Sequence, residues 1–380
     1  MHPRVRIVLL AAFAALSVAV LPSAWHARDA DRLWSDDAQL QGALARGIDH
    51  RRHTELSPQD FLTGHARFDG EWLFGTYMMA GLGYAQTMPA TSPERTEQLA
   101  AIEDCIEHVL SPAARGFDRA AWGSDPIDDL GSDRGHAAYL GYLNLLLSVH
   151  RHLDPDSRYA ELNDRISAHL EQRLAQSPIG LVQTYPGETY PVDNTAIFGA
   201  LAMHQRVSGI DHGAALRTAA QTFARTRDER GLLIQKVDSD SGHTVDGPRG
   251  SGTALATYFT SFWSEEHSRS LYDAMHENLR REVLGFGAIR EYPPGVDGRG
   301  DIDSGAVVFG VSVSASGFAL AGARIHHDQE TFTDLLATAT LFGAPVDRDG
   351  RRNFALGGPL GDALMFALLT AHPSSHWSAR

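Results

Sequence analysis

Six long loops rich in glycine and aspartate each run into a stretch of apolar periodicity, beginning near Gly70, Gly135, Asp193, Gly250, Asp303 and Gly358. The intervals are roughly 53 to 65 residues, the length of one helical hairpin with its connections. Within each interval apolar residues recur at three- and four-residue spacing, and strict alternation is rare and short. The spacing predicts helices over 36–49, 70–87, 93–111, 134–153, 156–176, 193–208, 211–227, 250–263, 265–284, 303–324, 328–343 and 359–371. Segments that follow the long loops, such as NTAIFGALAM and GAVVFGVSVSASGFALAGA, are dominated by small residues that let helices approach closely. Six hairpins with small-residue inner helices predict an all-α fold, an (α/α)6 barrel, as one domain over 28–380. An open helical solenoid is the alternative.

Ahead of that domain, residues 1–27 place Arg4 and Arg6 before an apolar run from Ile7 to Leu21, followed by small residues. This predicts a signal peptide and export to a periplasm or beyond. The run is shorter than the roughly 20 apolar residues that span a bilayer, so a retained membrane anchor is the alternative. The single cysteine, Cys105, falls on the apolar side of a predicted helix and has no partner for an intramolecular disulfide. With 47 acidic against 33 basic residues, the formal charge of -14 repels phosphate backbones and argues against nucleic acid as a partner.

In a barrel of this kind the long loops gather at one end, so their polar residues converge on one cavity. The loop TYPGETYPVDN, 184–194, crowds Tyr185, Tyr190, Glu188 and Asp193 together. Its neighbours contribute Trp122 and Asp125 from WGSDPIDDL, and Arg290, Tyr292, Asp301 and Asp303 from IREYPPGVDGRGDIDSG. Carboxylates near ring faces suit acid/base chemistry, because desolvation keeps one neutral while another stays ionised. Each has a plainer reading too. Asp193 and Asp303 stand where a helix N-cap would, Asp125 before Pro126 suits a turn, and Arg290 with Glu291 suits a salt bridge. The 19 histidines lack the short His/Asp spacings of a dedicated site, and DSDSG at 238–242 lacks the downstream glutamate of a calcium loop. No catalytic metal and no cofactor are expected.

The elements WGSDPIDDL, AAYLGYLNLLL, SPIGLVQTYPGETYPVDNTAIFGAL and DIDSGAVVFGVSVSASGF resemble, in order and spacing, the linalool dehydratase/isomerase family. FDGEWLFGTYMMAGLGYA and GGPLGDALMFALL extend the resemblance over most of the chain. It implies a cofactor-free (α/α)6 barrel that isomerises and dehydrates a terpene alcohol, assembled as a cyclic homo-oligomer. That family uses two cysteines on the 184–194 loop and a nearby histidine. Here Thr184 and Asp193 stand at the cysteine positions and Tyr142 at the histidine position, so carboxylate and phenol replace thiol and imidazole.

Three functions remain open at this level. One is a lyase or isomerase acting on an alcohol-bearing, partly apolar substrate, with Tyr142, Asp193, Glu188 and Asp125 handling protons and Trp122, Thr184, Tyr185, Tyr190, Arg290, Tyr292, Asp301 and Asp303 lining the site. The second is a glycosidase using two of Asp125, Glu188, Asp193 and Asp303. The third is a barrel that binds a glycan or small ligand without turnover.

Overall fold

The inner helices bury half or more of the residues they carry, whereas the outer ones bury a stripe. A computed structural model describes residues 28–89 and 93–377; the predicted signal segment 1–27 lies outside the described residues. In chain order the helices are α1 (Ala38–Arg52), α2 (Ala66–Gln86), α3 (Glu94–Val109), α4 (Pro112–Trp122), α5 (Ala137–Leu153), α6 (Ala160–Gln176) and α7 (Pro191–Ser208). They continue with α8 (Gly213–Arg225), α9 (Gly250–Thr260), α10 (Glu265–Leu279), α11 (Val313–Ile325), α12 (Gln329–Gly343) and α13 (Gly358–Leu369). Helix α5 is buried from Ala137 through His150, while α8 buries Ala215, Ala219, Thr222 and Phe223, one face at helical spacing.

Six helices form a closed inner ring. Helix α2 packs on α5, α5 on α7, α7 on α9, α9 on α11, α11 on α13, and α13 returns to α2. Each has an outer partner in sequence, except that α13 takes α1 from the other end of the chain. Arg51 of α1 pairs with Asp362 of α13 at 3.1 Å across that closure. The architecture is an (α/α)6 barrel, with one extra short helix, α4, capped by Ser111 and stopped by Gly123 at φ 76°. Cys105 is fully buried on α3. Among the described residues no helix is long and apolar enough to cross a membrane.

Three small antiparallel sheets decorate the barrel, and the one of four strands corrects two of the predicted helices. β1 (Ile234–Val237) pairs with β2 (Thr244–Pro248), and β7 (Pro345–Arg348) with β8 (Arg351–Phe354). The helix predicted over 265–284 ends at Leu279, because β3 (Arg280–Val283) turns back on β4 (Phe286–Arg290) through Leu284 and Gly285, both at positive φ. The helix predicted from 303 begins at Val313, since β5 (Val307–Val308) and β6 (Val311–Ser312) form a hairpin around Phe309 and Gly310 first. Asp303 therefore lies in a loop and not at a helix start.

Inner-ring contact requires glycine at particular places. A Cβ on Gly83 would lie 2.5 Å from the Phe366 ring of α13, and one on Gly141 would lie 2.8 Å from Ile197 of α7. Gly83→Ala should destabilise the barrel by about 1–3 kcal/mol despite its better helix propensity. Gly116→Ala in α4, where a Cβ meets nothing within 4 Å, should instead be neutral or stabilising by up to about 1 kcal/mol. Paired denaturant melts check both signs.

Candidate active site

Asp193 sits in the first turn of α7, and the residue after it fixes the loop that frames it. Asn194 Oδ1 accepts the Val182 N–H at 2.8 Å, while Nδ2 donates to the carbonyls of Val182 and Tyr190 at 3.0 and 3.2 Å. The loop folds on itself through Gly187 at φ 73°, so that the Thr184 and Tyr185 N–H groups both reach the Glu188 carbonyl, at 2.8 and 3.2 Å. Thr184 Oγ1 then donates to Asp193 Oδ2 at 2.8 Å, and the Tyr142 hydroxyl of α5 donates to Oδ1 at 2.7 Å. Behind the loop, the Trp122 ring lies 4.8 Å from the buried His136 ring and its Nε1 donates to the Thr184 carbonyl at 3.4 Å. His136 is gripped by Asp118 at 2.5 Å and Asp129 at 2.9 Å.

Asp193 opens on a cavity of about 610 Å³ at the loop end of the barrel, shared with Glu71 of α2 and Asp303. The Tyr185 hydroxyl donates to Glu71 Oε2 at 3.0 Å. Burial, with Asp303 and Asp193 adding repulsion, pushes the Glu71 carboxyl up to about 8. Asp303 is pushed up to about 7 by burial, then by Asp301 and Asp193. By accessible surface Asp303 is exposed, because it faces the cavity, yet protein crowds it on most sides. Crowding is the governing factor once a ligand displaces the cavity water. Asp193 is raised by burial but held back by the donors Tyr142 and Thr184, so of the three it is best furnished to carry charge. Burial lifts the Tyr142 and Tyr185 hydroxyls well above 10, which keeps both protonated as donors.

The rim is polar and internally paired. Lys236 Nζ lies 2.9 Å from Glu188 Oε1 and 5.4 Å from the Tyr190 ring, while Arg67 stacks over Tyr185 at 4.7 Å. Arg249 bonds Asp246 and Asp301. Asp301 also accepts the N–H groups of Asp303 and Ser304, at 3.1 Å each, which shapes its loop. The opposite wall is apolar, with Trp72, Phe318, Leu360, Leu364, Met365 and Leu368.

Eight of the residues singled out from sequence line this cavity: Tyr142, Thr184, Tyr185, Glu188, Tyr190, Asp193, Asp301 and Asp303. Four do not. Asp125 pairs with Arg115 at 2.5 Å and accepts the Ile127 N–H at 3.0 Å, the turn-forming arrangement. Trp122 stands behind the loop. Arg290 forms no ion pair within 4 Å among the described residues, and Glu291 instead holds Ser251 at the start of α9, its Oε1 2.7 Å from the hydroxyl. Tyr292 supports the 297–305 loop, accepting the Gly300 N–H at 3.3 Å, and Gly298 passes so close to its ring that a Cβ would lie 2.2 Å from Cζ. Neither Asp193 nor Asp303 is an N-cap, since Tyr190 and Ser312 occupy those places on α7 and α11. Glu188 is partly exposed between Lys236 and Arg67, and the desolvated acid of the cavity is Glu71. Glu71, Arg67, Lys236 and Arg249 escaped the sequence reading. The one available signal was an acid next to the apolar run WLFG of an inner helix.

No family model and no curated protein matches the chain. Among solved structures, an unsaturated glucuronyl hydrolase specific for heparin is similar with a TM-score of 0.56 at 10% identity, over 89% of this chain and 96% of that one. An inactive variant of an α-1,6-mannanase of Salegentibacter sp. HEL1_6, in complex with α-1,6-mannotriose, is similar with a TM-score of 0.50 at 11% identity, over 87% and 99%. The likeness is one of fold.

The raised Glu71 carboxyl has a consequence for stability. Its folded value of about 8 exceeds the ordinary 4.5, so the folded chain holds this proton more tightly than the unfolded one. That contribution is complete below pH 4.5 and lost as pH rises through 8. Glu71→Gln should therefore leave stability near pH 4.5 almost unchanged and raise it at pH 9 by on the order of 1–3 kcal/mol, read from denaturant melts at the two pH values.

Proposed function

We propose that the cavity belongs to a carbohydrate-active enzyme that cleaves a glycosidic C–O bond by acid/base chemistry. The observation that carries this reading is the convergence of three crowded carboxyls with unequal proton affinities. Asp193, hydrogen-bonded by Tyr142 and Thr184 at the start of α7, is the base. Asp303, near 7 and without a donor to its carboxyl among the described residues, is the acid. Asp303 gives its proton to the leaving oxygen as the C–O bond breaks. Asp193 takes a proton from the water that adds to the sugar carbon, so one water is consumed for each bond cut. Glu71, protonated at neutral pH, donates a hydrogen bond to a substrate hydroxyl. The saccharides named for the two similar barrels, heparin and α-1,6-mannotriose, support the substrate class.

A second reading rests on the apolar wall. The same acid and base could remove water from an alcohol whose hydrocarbon part lies against Trp72, Phe318 and Leu364, as the family resemblance implies. The cyclic homo-oligomer belongs to that reading. Export, implied by residues 1–27, is proposed with either.

A turnover screen separates them, with oligosaccharides and aryl glycosides on one plate and terpene alcohols on another. The expected result is release of reducing sugar, with activity falling above pH 7 as Asp303 loses its proton. Asp193→Asn and Asp303→Asn should each lower kcat by about a hundredfold or more with the fold retained. Loss of water from a terpene alcohol with no sugar release would favour the second reading. Saccharide binding without turnover would return the chain to a binding role, and full activity of Asp193→Asn would overturn the assignment of the base.

A further inference from the structure

Helix α5 enters the cavity region with Tyr142 and carries His150 in its last turn, roughly 12 Å further along its axis and toward the opposite end of the barrel. The His150 imidazole is completely buried, at 0% exposure. Its Nδ1 lies 2.8 Å from Ser157 Oγ in the α5–α6 connection, whereas Nε2 is buried with no hydrogen-bond partner. Buried polar atoms are rarely left so. What Nε2 faces is a pair of carboxylates. Glu103 Oε1 of α3 stands 3.7 Å away, and Asp154, the C-cap of α5, completes a trio whose ligating atoms all lie within 4.8 Å of one another. Arg158 holds the other Glu103 oxygen, Oε2, at 3.1 Å, which leaves Oε1 turned toward the histidine. The Tyr159 ring closes the side of this nook edge-on, 5.5 Å from the imidazole.

We propose that Glu103, His150 and Asp154 form a binding site for one divalent transition-metal ion of the zinc type, remote from the cavity. With Nδ1–H donated to Ser157, the imidazole presents its Nε2 lone pair to two anionic oxygens, an arrangement that repels unless a proton or a metal ion lies between them. Two carboxylates and a neutral imidazole balance a charge of two. Bonds of about 2.0–2.2 Å place tetrahedral donors about 3.4 Å apart, so the Glu103–His150 pair at 3.7 Å needs to close by a few tenths of an ångström, and the wider separations, within 4.8 Å, need side-chain rotation of Glu103 and Asp154. A nitrogen ligand favours zinc over magnesium or calcium, which take oxygen. The ion would tie outer helix α3 to the α5–α6 connection. Two of its donors, His150 and Asp154, stand four residues apart in the sequence, and the third, Glu103, comes from a separate helix.

Equilibrium dialysis of the full chain against Zn²⁺, Mg²⁺ and Ca²⁺, with metal analysis, tests the site. The expected result is one Zn²⁺ per chain at micromolar or tighter affinity and no comparable binding of the other two. Asp154→Asn and Glu103→Gln, both at partly exposed carboxylates, should each weaken Zn²⁺ at least about tenfold while melting like the parent chain in EDTA. X-ray absorption at the zinc edge of the parent chain should report a single imidazole among the ligands, whichever way the variants fold. Failure to bind Zn²⁺ stoichiometrically, unchanged affinity in either folded variant, or two or more imidazoles at the metal would each overturn the proposal.

Discussion

The barrel depends on how closely its inner helices approach one another. Gly81 lies where a Cβ would come 2.8 Å from Leu146, Gly83 where it would meet Phe366, Gly141 where it would meet Ile197, and Gly199 where it would come 3.0 Å from the Phe259 carbonyl. Interiors packed to this density transmit position faithfully, because no helix can shift without driving a side chain into its neighbour. The starts of α2, α5 and α7 are therefore held in fixed relation, and with them Glu71, Tyr142 and Asp193. The cavity is what the ring leaves open at the end where the connections are long.

Charge is distributed unevenly around that cavity. At its mouth every cation has an anionic companion: Lys236 has Glu188, and Arg249 has Asp246 and Asp301. Deeper in, Glu71, Asp193 and Asp303 have each other and a few hydroxyls. Carboxyls so arranged cannot all ionise, and the donors decide which one does so first. Two hydroxyls on Asp193, one on Glu71 and none on Asp303 among the described residues make the three chemically distinct without any metal or cofactor in the argument.

Much of this was legible in the chain because the repeated loops mark where inner helices begin, and small residues mark which helices are inner. The loop 184–194 announced itself by crowding rings and acids together. What escaped the sequence had physical reasons. The strands at 280–283 and 307–312 are too short for a period of two to stand out, and tertiary pairing turned their residues away from the helices that local pattern favoured. Asp125 and Trp122 lie close in sequence to a cavity-facing segment, but the turn at Pro126 and the packing of α4 carry them behind it. Glu71 was hidden by its helix, since which face of α2 looks inward is settled by neighbours far away in the chain. In the trio around His150, Glu103 is hidden for the same reason, whereas His150 and Asp154 stand four residues apart.

Closure of the ring by α1 against α13 joins the two ends of the chain: the Arg51–Asp362 contact spans 311 residues. During synthesis, α1 meets α2 and α3 through Tyr84–Asp49 and Arg52–Asp104, but its contact with α13 waits until the last inner helix has been made. The preceding hairpins can assemble in order, each on the one before, but the toroid stays an open arc with two uncovered faces until nearly the whole chain is present. Contacts so distant form late and at a high cost in chain entropy. An arc that cannot close early is also one that remains extended enough to be handed, incomplete, to whatever machinery receives a growing chain.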